Sequence, residues 1–467
     1  MLASLFYLII PFIFILGSAV VLHEFGHFIV AKLLGVRVET FSVGFGPRLF
    51  GRRWGTTDYR LSLVPLGGYV KLGGDDSNAP IEGATAQNIP ASERFDLRPR
   101  WQKFLVMVAG PTMNILTALT VVFIAALMSG VPVVPTSPVV TQVRAGGASE
   151  KAGVRPGDRI VSFNGKENPS LERIYNDVKL SPEHPLPLAV ERGGERVALT
   201  LTPQKAVEEG ESLGVIDFAP DYGALPVTVS ALKADYPAAQ AGLQVGDRVV
   251  TINGEQVRDD VTLIGLVQKY KNDEIKVAYE RGGGRGEVSM RARLEGDRAY
   301  LGVTPEIEIP FQRAGVATAA RYAVSRNVEV VRMTGAAFSQ IFKGERSARE
   351  SLSGPIGIAR ASATAATRLG WAGVFGMLGF LSLNLGVINL FPIPVLDGGA
   401  IFLLLLEAVL GWVGLRLSLT VRERIQQVGF VMLILLMGFV ITNDLIKEGS
   451  NLLHRSSEKP AATQPAK

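Results

Sequence analysis

The sequence predicts a polytopic α-helical membrane protein with about four spans, a re-entrant β-hairpin or small sheet after the first span, and an extramembrane α+β portion. Three observations predict it. Of the 467 residues 47% are hydrophobic, and the mean hydropathy is +0.25, too apolar a balance for an ordinary soluble chain. The apolar residues gather into a few runs near the ~20 residues that a helix needs to cross a bilayer. Between the second and third runs lies a long segment of short strands, glycine turns and amphipathic helices instead.

Composition excludes several functions. The formal charge of +5 comes from basic residues spread among acidic ones, which gives no footprint for nucleic acid. The chain has no cysteine, so disulfides, iron-sulfur clusters and thiolate metal sites are excluded. Any metal must be held by histidine and carboxylate.

The first span covers residues 2–34. A cleaved signal peptide is the competing reading, but no basic residue precedes the run and the run is too long. Further spans fall at 104–130, 369–390 and 425–441. A shorter run at 400–410 carries Glu407 and reads as a helical continuation or interfacial turn; five spans is the alternative to four. Lys32, Arg37, Arg48, Arg52, Arg53 and Arg60 follow the first span, Arg98, Arg100 and Lys103 precede the second, and Arg416, Arg422 and Arg424 precede the last. These flanks are expected on the cytoplasmic side, and residues 131–367 and both termini on the other.

Between the first two spans, Thr57-Asp58-Tyr59-Arg60-Leu61-Ser62-Leu63 and Phe41-Ser42-Val43-Gly44-Phe45 alternate apolar and polar residues, the signature of strands. Gly44-Phe45-Gly46-Pro47 and Pro65-Leu66-Gly67-Gly68-Tyr69 punctuate them. Backbone at membrane depth must be satisfied by protein or line a wet cavity, so such strands imply a re-entrant sheet with an edge that an extended peptide could join. A plain cytoplasmic hairpin is the simpler alternative.

The chemistry is concentrated in His23-Glu24-Phe25-Gly26-His27 at the end of the first span. Residues four apart share a helix face, so His23 and His27 can reach one metal ion with Glu24 beside them as general base. Ionisable side chains inside a bilayer cost ~2.5–3.5 kcal/mol each on insertion scales and point to function. The third span adds Asn384 and Asn389, then Phe391-Pro392-Ile393-Pro394-Val395-Leu396-Asp397-Gly398-Gly399. The two prolines interrupt the helix, and Asp397 is the third ligand. Two histidines and one carboxylate leave the fourth position of a single Zn2+ ion for water. Asn389 is placed to hold substrate backbone or a developing oxyanion.

The extramembrane portion contains a repeat. Ala152-Gly153-Val154-Arg155-Pro156-Gly157-Asp158-Arg159-Ile160-Val161-Ser162-Phe163-Asn164-Gly165 lines up with Ala241-Gly242-Leu243-Gln244-Val245-Gly246-Asp247-Arg248-Val249-Val250-Thr251-Ile252-Asn253-Gly254. An amphipathic helix and further strands follow in each copy. The two copies, 132–220 and 221–306, resemble circularly permuted PDZ domains, which implies carboxylate-binding loops at Leu213, Gly214 and Val215 and at Leu301, Gly302 and Val303. Peptide binding and a size-filter role with closed grooves are both open. Residues 307–367 read as one or two amphipathic, membrane-proximal helices, 368–411 as the third span with its continuation, 412–448 as the fourth span and 449–467 as a disordered tail.

HEFGH, Gly44-Phe45-Gly46-Pro47, Pro65-Leu66-Gly67-Gly68-Tyr69-Val70, Gly110-Pro111-Thr112-Met113-Asn114 and the Asn389 to Gly399 stretch together resemble the site-2 protease family of intramembrane zinc metalloproteases. The resemblance implies cleavage of a single-spanning membrane protein within the bilayer of a bacterial inner membrane. The substrate it implies is an anti-sigma factor remnant in an envelope stress response, with signal-peptide remnants as a further class. It also implies that Gly67, Gly68, Tyr69, Asn384 and Asn389 clamp the unwinding substrate. An inactive PDZ scaffold and a metal transporter are the readings from other classes; an intact Glu24 argues against the first, and the lack of a ligand path across the spans against the second.

Overall fold

The computed structural model describes residues 2–75, 89–133, 139–144, 146–208, 211–215, 217–220, 225, 227–296, 298–307, 310–344, 347, 349, 353–412, 414–415 and 418–457. Most of the expected tail lies outside these. The chain divides into a unit of Met1–Ser129 with Ala314–Lys467 and a unit of Gly130–Arg313.

The first unit is helical. Its helices are α1 (Leu2–Leu33) and α2 (Arg100–Ser129), and, after the second unit, α5 (Val316–Phe342), α6 (Pro355–Asn389), α7 (Asp397–Trp412) and α8 (Leu419–Ser457). Four stretches among the described residues are long and apolar enough to cross a bilayer: Ile9–Leu33, Arg100–Ser129, Pro355–Asn389 and Arg424–Lys447. Helix α7 covers the 400–410 run and has 16 residues, short of a full span, so the candidate spans among the described residues remain four. Gly370, at φ 57° and ψ −138°, breaks α6 close to the expected start of the third span. Small residues bring the helices together: a Cβ on Gly26 would run into the carbonyl of Ala109, and one on Gly386 would lie 2.9 Å from the carbonyl of Pro111. Buried Asp444 of α8 accepts from the backbone N–H groups of Gly354 (2.9 Å), Ile356 (3.0 Å) and Gly357 (3.1 Å), capping α6 from another helix.

Between α1 and α2 stand β1 (Val38–Trp54) and β2 (Thr57–Leu72). Both bend, so two strands supply four segments. Residues 38–43 pair with 68–72 on one side (Phe41 with Val70, Val43 with Gly68) and with 58–61 on the other (Phe41 with Tyr59). The 57–62 segment pairs again with 48–54. Gly44 (φ 90°) and Gly46 (φ 86°) make the reversal inside β1, a conformation that only glycine adopts freely. Among the described residues no strand covers the outer edge of 68–72.

The second unit carries the repeat. The first copy contains β3 (Val140–Val143), β4 (Arg159–Phe163), α3 (Leu171–Leu180), β5 (Leu186–Arg192), β6 (Glu195–Leu201), β7 (Gln204–Glu208), β8 (Glu211–Val215) and β9 (Phe218–Pro220). The second contains β10 (Val227–Leu232), β11 (Arg248–Ile252), α4 (Asp260–Lys269), β12 (Glu274–Arg281), β13 (Gly284–Arg291) and β14 (Val303–Ile307). The second sheet runs β13-β12-β11-β10-β14; in the first, β6-β5-β4 continues through a Val139–Arg159 bridge to the β3-β9 pair, the same order. Each helix caps its own core, with Ile160, Phe163, Ile174 and Val190 in one copy and Val249, Ile252, Leu263 and Ile275 in the other.

The repeated Gly-Asp has a structural use. Asp158 accepts from Arg155 N–H (2.8 Å) and from Arg192 Nε and Nη2 (2.7 and 2.8 Å); Asp247 accepts from Gln244 N–H (2.7 Å) and from Arg281 Nε and Nη2 (2.6 and 2.7 Å). Burial pushes both carboxyls up, but the arginine and backbone hydrogen bonds outweigh it and hold them below the usual carboxylate range. A lowered folded pKa contributes stability above the unfolded value, about 3.9, that is lost as pH falls through the folded one. Protection from hydrogen exchange across each copy, taken relative to the intrinsic rate at each pH, is therefore expected to be steady down to about pH 4 and to fall below it. Arg192→Gln and Arg281→Gln should each raise exchange at neutral pH in their own copy only.

Candidate metal centre

His23 and His27 lie one turn apart on α1, and Asp397 begins α7 after the turn that ends α6. That turn folds tightly on itself: Ile393 N–H donates to Phe391 O (2.7 Å) and Leu396 N–H to Ile393 O (3.1 Å). A Cβ on Gly398 or Gly399 would strike the carbonyl of Phe391 or Ile393, which is why two glycines follow Asp397. Val395 sits at φ 83°, a region that β-branched residues avoid, so the turn holds its conformation at a cost.

The three side chains converge. His23 Nε2 is 3.0 Å from Asp397 Oδ2 and 3.2 Å from His27 Nε2, and His27 Nε2 is 3.4 Å from Asp397 Oδ1. Ligands of a tetrahedral zinc, each at ~2.0–2.1 Å, stand about 3.3 Å apart. The observed separations match that figure, and buried Asp397 Oδ2 has no hydrogen-bond partner, so the donor set fits a zinc ion. The outer nitrogens are held. His27 Nδ1 donates to Val106 O (2.7 Å), which leaves the Nε2 lone pair facing the cluster. His23 Nδ1 lies 3.3 Å from the amide of fully buried Asn114, which in turn accepts from Ser382 Oγ at 3.2 Å. Helix α2 approaches closely because it has Gly110 here: a Cβ would press on the His27 ring and lie 2.8 Å from His23 Cε1.

Around the cluster is a cavity of about 720 Å³, lined among others by Glu24, Gly68, Tyr69, Asn389 and Gln426. The backbone of Val70 lies near enough to act on the Glu24 carboxylate, so the outer edge of the 68–72 segment runs past it. Tyr69 stacks on Phe45 (6.2 Å between centroids) and takes a hydrogen bond from Arg60, while Gly67 is packed under the Phe45 ring. Asn389 Nδ2 lies 3.3 Å from His23 Nε2.

Two sets of expected substrate contacts fall elsewhere. Asn384 bonds Phe380 O (2.8 Å) and Thr334 Oγ1 of α5 (2.9 Å), tying helices together; five residues before Asn389, it faces another way round the helix. Leu213, Gly214 and Val215 are strand, paired with Ala206, Lys205 and Gln204, and a Cβ on Gly214 would strike the Val178 carbonyl, so they form no open loop. Leu301 and Gly302 are irregular, with Gly302 at φ 82°, and their carbonyls accept from Ala238 and Lys233 N–H at 2.9 Å each. Asn114 and Ser382 carry no role that sequence pattern alone assigns. The signal available was an asparagine one helical turn from Gly110 in an otherwise apolar span.

The family model described as Peptidase family M50 matches residues 11–436. The chain belongs to peptidase family M50. It is 29% identical to the regulator of sigma-E protease RseP of Escherichia coli K12, over 93% of this chain and 97% of that one. Protease RseP of Yersinia pestis is 30% identical over 94% and 99%, and a Vibrio cholerae relative named as a zinc metalloprotease is 30% identical over 94% and 98%. The PDZ domain of an SdrC-like protein from Listeria monocytogenes shares 24% identity over 17% of this chain and 85% of its own, at a TM-score of 0.16, too low to establish a common fold. This M50 peptidase is a zinc metalloendopeptidase with four candidate membrane spans.

Proposed function

We propose that this M50 chain cleaves a single-spanning membrane protein inside the bilayer of a bacterial inner membrane, using one zinc ion held by His23, His27 and Asp397. The observation that carries the reading is the convergence of those ligands and Glu24 between candidate spans, beside a free strand edge. Bound there, zinc supplies a Lewis acid that activates water and polarises a carbonyl. Glu24 accepts the proton from that water and returns it to the leaving amine. A transmembrane helix hides its carbonyls in its own hydrogen bonds, so it must unwind before attack. The 68–72 edge, with Gly68 and Tyr69, offers backbone pairing that offsets the lost bonds, and the Asn389 amide donates to the substrate's backbone or oxyanion.

The basic flanks put the cluster towards the cytoplasm and the repeat unit, with both termini, in the periplasm. The name of the Escherichia coli relative, regulator of sigma-E protease, supports a substrate of the anti-sigma-factor kind; the resemblance to the site-2 protease family implies one already shortened on its outer side. Zinc analysis tests the centre: one ion per chain in the wild type, lost in His23→Ala, His27→Ala and Asp397→Asn. Full occupancy in all three variants would remove these residues from the metal.

We read both repeats as PDZ-like and only the second as open to a peptide. Strand β14 is a sheet edge, and the Gly302 turn before it is flanked by Tyr236 with Lys233 and Arg293 at 5.1 and 4.9 Å from its ring, a cationic setting for a terminal carboxylate. A peptide with a free C-terminus should bind the full chain in detergent, and amidation or Gly302→Ala should each weaken it by roughly tenfold or more. Equal binding of the amidated peptide would favour the size-filter reading.

A further inference from the structure

Of the outer hairpin of the sheet, residues 46–62, only Arg60 reaches the site described above, through its hydrogen bond to Tyr69. One contact ties it to the helix: Lys32 Nζ donates to Thr56 Oγ1 at 3.4 Å, so the hairpin tip stands beside the last turn of α1, where the Ile9–Leu33 candidate span ends. A tip at that level meets lipid headgroups. Its surface has the matching chemistry. Phe50 pairs across the hairpin with Leu61, Arg52 with Tyr59 and Trp54 with Thr57. Alternate strand residues share a face, so one face presents Phe50, Arg52 and Trp54 in a row. Phe50 is 72% exposed and Trp54 79%. Aromatic rings with interleaved arginine are the pairing found where protein meets the membrane–water interface.

Charge selects the lipid. Residues 46–62 hold four arginines against the single carboxylate of Asp58, which is taken by Arg48 at 3.4 Å. Arg52 and Arg53 have no ionic or hydrogen-bonding partner among the described residues. The tip is also coupled inward: Trp54 packs on Tyr59 (6.4 Å), Tyr59 on Phe28 (5.8 Å) and Phe28 on Phe41 (5.3 Å), and Phe28 follows His27 directly.

We propose that this hairpin is a docking surface for the anionic phospholipid headgroups of the bilayer that the chain itself spans. Phe50 and Trp54 enter the interface while Arg52 on their face and Arg53 on the opposite face, next to the tip, hold phosphate. Docking braces the sheet whose other edge, 68–72, passes Glu24.

The chain has no cysteine, so Phe50→Cys carries a single environment-sensitive label in the full-length protein, reconstituted in phosphatidylcholine vesicles with or without phosphatidylglycerol. The expected result is blue-shifted emission, and quenching by headgroup-nitroxide lipid, that strengthen with phosphatidylglycerol and weaken in high salt. Arg52→Gln with Arg53→Gln should lower the affinity for the anionic lipid by roughly tenfold or more, and Arg52→Lys with Arg53→Lys should restore it. The lysine pair keeps the test valid if the glutamine pair misfolds. A label that stays aqueous in both lipids would place the hairpin in water or on a soluble partner, and equal quenching with and without phosphatidylglycerol would leave apolar insertion alone; either overturns the proposal.

Discussion

Glu24→Gln is expected to lower peptide-bond cleavage by roughly 10²–10⁴-fold, the usual contribution of a positioned general base, while zinc content and thermal stability stay at wild-type levels. The amide keeps the size of the carboxylate and can still meet the backbone of Val70, but it cannot accept the proton that hydrolysis releases. Single-turnover cleavage of a reconstituted substrate, paired with zinc analysis of the same sample, separates this outcome from metal loss. A variant that cuts at the wild-type rate would remove Glu24 from the chemistry and move the base elsewhere in the cavity.

Gly110→Ala is expected to have an effect of similar size by the opposite route. One added methyl must occupy space held by the His27 ring and lie 2.8 Å from His23 Cε1. Neither imidazole can retreat: His27 is held through Nδ1 by Val106 O, and His23 lies against Asn114. The variant should therefore lose zinc and activity together, whereas Glu24→Gln loses activity alone. Substitution of Gly438 makes a control, because a Cβ there meets nothing within 4 Å. Normal zinc content in Gly110→Ala would show that α2 yields, and that the close approach of the helices does not set the ligand geometry.

The parts of the site that were legible in the sequence are those fixed by spacing along one element. Two histidines four apart on a helix declare a shared face, and a carboxylate followed by two glycines after paired prolines declares a tight turn. Both ends of the centre could be named before any coordinates. What was hidden depends on which way a helix or strand faces. Asn384 and Asn389 look equivalent in a string of apolar residues, yet one lines the cavity and the other ties α6 to α5. The Leu-Gly-Val triplets of the two repeats look equivalent too. In the first copy Gly214 is pressed against the Val178 carbonyl and spent in a strand; in the second Gly302 takes a positive φ.

The fold was legible to a similar depth. Four apolar runs match four candidate spans among the described residues, and the doubled Gly-Asp motif marks two copies of one sheet order. The arginine that each Asp needs, Arg192 or Arg281, follows at the same distance in both copies and could have been found by extending the repeat. The cap that Asp444 provides to α6 could not, because it joins segments far apart in sequence.

The most direct test of intramembrane zinc proteolysis is to locate the cut. A single-spanning protein with a shortened outer domain, reconstituted with the full-length chain and cleaved to completion, would be read by mass spectrometry of both products. Cleavage between residues of the apolar segment, abolished by chelation and restored by zinc, is the predicted result. A cut confined to the exposed flanks, or one indifferent to chelation, would contradict it.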